Sequence, residues 1–121
     1  MTQDEFISYI LNNVKKSDIL ERQEKKSIIH KVSISGSKLG ITCIVGENNN
    51  TKKIDLVDLI TAYTLLISNQ TILHSTFIKK LHNKNKPCVS YLVVALLIKL
   101  ELIKKDEAKE DLYSSKLSVK S

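Results

Sequence analysis

The run from Cys88 to Ile98 is apolar except at Ser90, and it constrains the fold more than any other part of this 121-residue chain. Because Pro87 suits the first turn of a helix, the segment predicts a helix over residues 88–104 with apolar side chains on nearly every face. Such a helix is normally buried on every side. It is also too short to span a membrane, which requires about 20 apolar residues. The rest of the chain, or a second subunit, must therefore cover it.

An antiparallel β-meander is predicted ahead of that helix. Apolar and polar residues alternate over residues 28–35 and 39–45, and Gly36 lies between the two runs. A period of two broken by a glycine-containing turn indicates a β-hairpin. Three asparagines at 48–50 favour a loop, and residues 51–54 then form a short third strand. In this arrangement residues 28–35 are a possible edge strand.

A helix is predicted before the meander, over residues 2–16. Thr2 and Glu5 have the spacing of a capping box, and an apolar stripe follows them. The polar residues 17–27 are either a second short helix or a charged connector.

Two further helices are predicted after the meander, and they precede the helix that contains the apolar run. Asp55 is placed to cap a helix over residues 55–69, and Ser75 or Thr76 begins one that ends near residue 83. Segregated strands and helices favour an α+β fold: an N-terminal helix, a small antiparallel meander and a tri-helical bundle. We expect one domain over residues 1–106. Residues 107–121 form a polar tail, which either continues as a fraying helix or adds one edge strand.

The segment 55–106 resembles the winged helix-turn-helix domain. The resemblance is carried by the helix order and by Leu102-Ile103-Lys104-Lys105-Asp106, which is similar to the L-I-x-x-D motif that follows the recognition helix of that family. Glu101 stands where the family usually has glycine, and residues 107–121 carry no turn signal for the β-hairpin wing.

The resemblance implies that double-stranded DNA is the partner. The helix over 87–103 would lie in the major groove and present its first turn, near Ser90 and Tyr91, to the bases. Lysines before that helix would contact phosphates, with His82 and Asn85 adding neutral hydrogen bonds. These lysines are Lys79, Lys80, Lys84 and Lys86.

The charge balance is compatible with such a partner but has a second explanation. Lys and Arg total 19 against 13 Asp and Glu, which gives a net charge of +6 and a pI near 9.3. A basic surface attracts phosphates. However, Arg22 is the only arginine, and a lysine-rich composition with many Ile and Asn is also what an AT-rich genome produces.

Metal, cofactor and catalytic motifs are not evident. His30, His74, His82 and Cys88 lack the close spacing of metal ligands. No phosphate-binding loop, dinucleotide fingerprint or nucleophile elbow is found either. We therefore expect a non-enzymatic protein without cofactors. Its acidic N-terminal residues and apolar-flanked cysteines favour a cytoplasmic protein with buried free thiols.

Two functions remain open from the sequence. One is a small DNA-binding module or transcriptional accessory protein. The other is a protein-interaction domain, either a dimeric adaptor or an inhibitor-type partner. It would use Val94 and Ile98 on the outer face of the apolar helix, or a strand edge.

Overall fold

The computed structural model describes residues 1–15, 18–22, 25–35, 38–45, 50–81, 89–109 and 111–117. Within these, four helices and two antiparallel sheets confirm the α+β class. The four-stranded sheet precedes three of the helices in the chain, and the three-stranded sheet is built from short strands among and after them.

The N-terminal helix, α1 (Gln3–Asn13), has the predicted cap. The backbone N–H of Glu5 donates to the Thr2 hydroxyl, and the Glu5 carboxylate accepts from the backbone N–H of Thr2. The bond from the Thr2 backbone to the carboxylate, followed by the Thr2 side chain, lowers the pKa of Glu5 because it favours the charged form. Phe6 and Ile10 are buried, as the apolar stripe requires. The helix ends at Asn13, three residues before the predicted end.

The four-stranded sheet contains β1 (Asp18–Arg22), β2 (Lys25–Ser35), β3 (Lys38–Val45) and β4 (Asn50–Asp55) in that spatial order. The predicted hairpin and the third strand are confirmed as β2, β3 and β4.

One prediction for this region was wrong. Residues 18–22 form a strand rather than a helix or a connector, because they pair with residues 25–29. The possible edge over residues 28–35 is shortened by this pairing: β1 pairs with β2 only as far as Ile29, and residues 31–35 pair with β3 alone. The pairing of β2 with β3 also shifts between Ile29 and Lys31. This bulge at His30 interrupts the predicted alternation.

Helix α2 (Leu56–Ser68) begins where the sequence predicts. Asp55 is the N-cap, and its backbone N–H donates to the Asp58 carboxylate at 2.9 Å. The helix buries Leu59, Ala62, Leu65 and Leu66.

The three-stranded sheet was missed almost entirely. It consists of β5 (Thr71–Leu73), β6 (Ile103–Lys105) and β7 (Leu112–Ser115), in the order β5-β7-β6. Helices α3 (His74–Leu81) and α4 (Val89–Lys99) lie between β5 and β6 in the chain. Part of the expected polar tail is thus the middle strand of a sheet, with Tyr113 buried.

Helix α4 ends five residues before the predicted end, and a left-handed residue terminates it. The N–H of Glu101 donates to the Ile98 carbonyl, and the N–H of Leu102 donates to the Leu97 carbonyl. These two bonds form a Schellman motif, and Glu101 has φ of 61°. Leu97 and Leu102 are both buried, which supplies the apolar contact that accompanies this motif.

Most of the apolar surface of α4 is covered within the chain; Ile98 near its end is the exception. This helix contacts α2, α3 and β6 and also the two outer strands of the four-stranded sheet, β1 and β4. The four-stranded sheet therefore covers part of the apolar surface of α4, as the sequence analysis required of the rest of the chain or of a second subunit. At the end of α4, the Tyr9 hydroxyl of α1 donates to the Leu100 carbonyl at 2.9 Å.

Candidate functional site

Helix α3 presents two of the predicted DNA-contacting lysines to solvent. Phe77 and Leu81 are buried on its inner side, and this spacing leaves Lys79 and Lys80 exposed in the last turn. Cations in the last turn of a helix also interact favourably with the helix dipole. Lys84 and Lys86, together with His82 and Asn85, lie outside the described residues.

Ser90, in the first turn of α4, is not available for contact with bases. Ser90 is 0% exposed, so its predicted contact with DNA is wrong: the side chain lies in the core. Its hydroxyl has no hydrogen-bond partner among the described residues. Tyr91 is half-buried and packs against the His74 ring, with 5.3 Å between ring centroids.

The predicted protein-interaction residues separate into one buried and one exposed side chain. Val94 is 4% exposed, so its assignment to a protein interface is wrong, because packing within the chain already covers it. Ile98 is 40% exposed near the end of α4. The neighbouring Lys99 donates to the Ile19 carbonyl of β1 at 3.2 Å, and Ile19 is itself exposed.

His74 joins α3 to the β6–β7 hairpin, a role that the sequence did not reveal. Its Nδ1 is hydrogen-bonded to the Tyr113 hydroxyl at 2.9 Å, and its backbone N–H donates to the Asp111 carbonyl at 2.7 Å. Its ring also packs against the rings of Tyr91 and Tyr113. Nε2 is buried, and no hydrogen-bond partner for it lies in the described part of the chain.

The environment of this pair favours the neutral form of both groups. Burial lowers the pKa of His74; Asp111 opposes this effect and Lys105 adds to it. Burial, followed by the charge of Asp111, raises the pKa of Tyr113. A neutral, hydrogen-bonded pair of this kind stabilises the junction of α3 and β7.

Potential metal ligands do not gather anywhere in the described part of the chain, where no group of three His, Cys, Asp or Glu could hold an ion. Cys43 is buried, and Cys88 lies outside the described residues. No helix in the described ranges is both long and apolar enough to cross a membrane.

Strand β5 forms one outer edge of the three-stranded sheet. Thr71 and Leu73 are both exposed, and Leu73 retains 51% of its accessible surface. Leu73 pairs with Leu112 across the strand boundary, so two leucines lie side by side next to this edge.

Comparisons with protein-family models, with curated proteins and with solved structures found no match.

Proposed function

We propose that this chain is a non-enzymatic, winged-helix-like module that binds double-stranded DNA through phosphate contacts rather than by reading bases. The observation that carries the proposal is the element order α2-β5-α3-α4-β6-β7 with strand order β5-β7-β6. Three helices followed by a β-hairpin are what the resemblance of residues 55–106 implies. The left-handed Glu101, at a position where the family usually has glycine, also supports it.

The burial of α4 sets the mode of binding. A groove-reading helix presents a polar face to the bases, but eight of the nine positions from Val89 to Leu97 of α4 are buried, and the ninth, Tyr91, is half-buried. Contacts to phosphates need only exposed cations at the surface. Such contacts position a protein on the duplex without selecting a sequence.

The lysines of α3 are the cations best placed for this role. Lys79 and Lys80 are adjacent and exposed, and the segment that follows them in the chain carries Lys84 and Lys86. The net charge of +6 adds a long-range attraction for a polyanion.

Fluorescence anisotropy with a labelled duplex of arbitrary sequence tests the proposal. Affinity should fall steeply as salt rises from about 50 to about 200 mM, because each phosphate contact contributes roughly 0.9 to the slope of log K against log salt. Replacing both Lys79 and Lys80 by Glu should lower that slope by about 2. Replacing Lys52 and Lys53 of β4 by Glu is the matched control, because the charge change is equal and lies on the four-stranded sheet; since Lys53 lies 3.9 Å from the Asp55 carboxylate, the circular dichroism spectrum of this control should be compared with that of the unchanged protein.

Two results would count against DNA binding. One is the absence of binding at about 50 mM salt, where phosphate contacts alone are detectable. The other is an equal loss of affinity in the α3 and β4 variants, which would indicate a net-charge effect without a binding face.

A protein-interaction domain is the second candidate, and a specific observation favours it. The β5 edge exposes Leu73 beside Leu112, and an outer strand is a surface to which another chain can add. The homodimer and the adaptor or inhibitor roles belong to this candidate. Dependence of the sedimentation coefficient on protein concentration distinguishes a dimer from a monomer that binds other chains.

A further inference from the structure

We propose that the open edge of β5 captures an extended, acidic segment of another protein as an additional antiparallel strand. The inference goes beyond DNA binding and does not depend on it. It rests on the hydrogen-bond register of the three-stranded sheet, on the exposure of Leu73 and on the lysines that follow β5 in the chain.

The register determines which backbone groups of β5 are directed outward. The N–H of Ser115 donates to the Gln70 carbonyl at 2.8 Å, and the N–H of His74 donates to the Asp111 carbonyl at 2.7 Å. Hydrogen-bonded pairs alternate along an antiparallel ladder, so the bonds to β7 are made at positions 70, 72 and 74. The backbone groups at the two intervening positions point away from β7.

Three of those four outward groups are available to another strand. They are the N–H and the carbonyl of Thr71 and the N–H of Leu73. The carbonyl of Leu73 precedes the first residue of α3 and is placed to accept the first hydrogen bond of that helix. Within the described part of the chain β7 is the only strand that pairs with β5, and both residues are exposed, so this edge is open to another strand.

The small size of the edge favours a linear segment over a second copy of this chain. Stable interfaces between folded proteins bury roughly 1,200–2,000 Å² in total, whereas β5 is three residues long. Two copies, each with a charge of +6, would also repel one another. An extended peptide needs only the edge itself and an anchor, because backbone bonds give affinity and side-chain pockets give specificity.

Charge determines the composition and the direction of the segment. Helix α3 follows Leu73 directly in the chain, so a partner that runs antiparallel to β5 and extends past Leu73 has its N-terminal part on the side where α3 begins. Lys79 and Lys80 lie on the exposed side of α3, roughly 8 Å along its axis from His74 at 1.5 Å per residue. The partner should therefore have acidic residues N-terminal to the paired residues. An apolar residue in the paired part would cover Leu73.

A designed peptide tests the proposal on the intact protein. The probe is a fluorescein-labelled peptide with an acidic N-terminal half and alternating Val and Thr in its C-terminal half. The control peptide has the same composition with the two halves exchanged. Anisotropy should show saturable binding of the probe, and binding of the control should be at least about tenfold weaker.

Backbone methylation of the peptide tests strand addition without altering the protein. N-methylation of the probe residue that faces Thr71 removes a donor and should weaken binding about tenfold, which corresponds to about 1.4 kcal/mol and lies within the range for one lost hydrogen bond. N-methylation of the next residue, whose N–H points away from β5, should change binding less than about twofold. Amide resonances of Thr71 and Leu73 should shift when the probe binds.

Changes in the protein complete the test. Leu73→Ser should weaken binding of the probe, whereas Val57→Ser should not, because Val57 is an exposed apolar residue on α2. Equal binding of both peptides, or equal effects of the two methylations, would overturn the proposal. Self-association that the probe abolishes would instead assign the edge to a second copy. Loss of DNA binding in the lysine variants has no bearing on the methylation result, so the two proposals fail separately.

Discussion

Replacing Glu101 by glycine should stabilise the protein, because Glu101 terminates α4 in the left-handed conformation with φ of 61°. For a residue with a Cβ atom this conformation costs about 1–2 kcal/mol. Glycine adopts it without that cost but gives the unfolded chain more freedom, which offsets about 0.5–1 kcal/mol. The carboxylate also lies at the negative end of the helix dipole, where an acid is unfavourable by about 0.3–1 kcal/mol.

The net effect of Glu101→Gly is a gain of about 1 kcal/mol in the free energy of unfolding. For a domain of this size the gain corresponds to a rise in Tm of about 3–5 °C. Urea denaturation followed by circular dichroism measures it, and the m-value should not change because the same surface is exposed on unfolding.

Two control variants separate the causes. Glu101→Gln removes the charge and keeps the Cβ atom, so it should give only the smaller, dipole part of the gain. Glu107→Gly places glycine at an exposed position whose φ is not positive, so it should not stabilise the protein. If Glu101→Gly is no more stable than Glu101→Gln, the assignment of backbone strain to this position is wrong.

Three further predictions concern buried or part-buried polar groups. Ser90→Ala should raise the free energy of unfolding by about 1 kcal/mol, since its buried hydroxyl has no hydrogen-bond partner among the described residues. Thermal denaturation measures the gain, and a lower Tm would contradict this reasoning. The stability conferred by neutral His74 should be complete above its unfolded pKa of about 6.5 and should decline as pH falls through its lowered folded pKa. Urea titrations between about pH 7 and 5 measure the slope of the free energy of unfolding against pH. His74→Gln should reduce this slope, and an unchanged slope would assign the pH dependence to other groups. Tyr9→Phe should cost about 1 kcal/mol by removing the bond to the Leu100 carbonyl, and an unchanged urea midpoint would contradict that estimate.

The sequence predicted those elements that carry a long periodic signal or a definite cap. The Thr2–Glu5 and Asp55–Asp58 pairs located two helix starts, and the alternation over residues 39–45 located β3. Burial of the apolar helix also followed from its composition, because no face of it is polar enough to remain in water.

The three-stranded sheet lacked such signals. Strands of three or four residues are too short to establish a period, and β7 contains one buried residue, Tyr113, between half-buried neighbours. Its position in the middle of a sheet depends on pairing with β5, about forty residues earlier. The end of α4 was likewise not indicated by the sequence, because Glu101 occupies the left-handed position that is usually glycine.

The candidate site was predicted as a set of residue types but not as a surface. Exposure of Lys79 and Lys80 follows from the period of α3. Whether Ser90 and Val94 face solvent depends on where the first four strands pack, which no local pattern records. The hydrogen bond between His74 and Tyr113 is of the same kind, because it joins residues that only the tertiary structure brings together.

The strand order β5-β7-β6 has a consequence for synthesis on the ribosome. The four-stranded sheet joins neighbours in the chain and can form as soon as residue 55 has left the exit tunnel. In the other sheet, β5 and β6 have no strand to pair with until residues 112–115 emerge and form β7 between them. A nascent chain that stalls before that point carries an incomplete sheet with two vacant edges, and it is in this interval that we expect the protein to be most prone to aggregate.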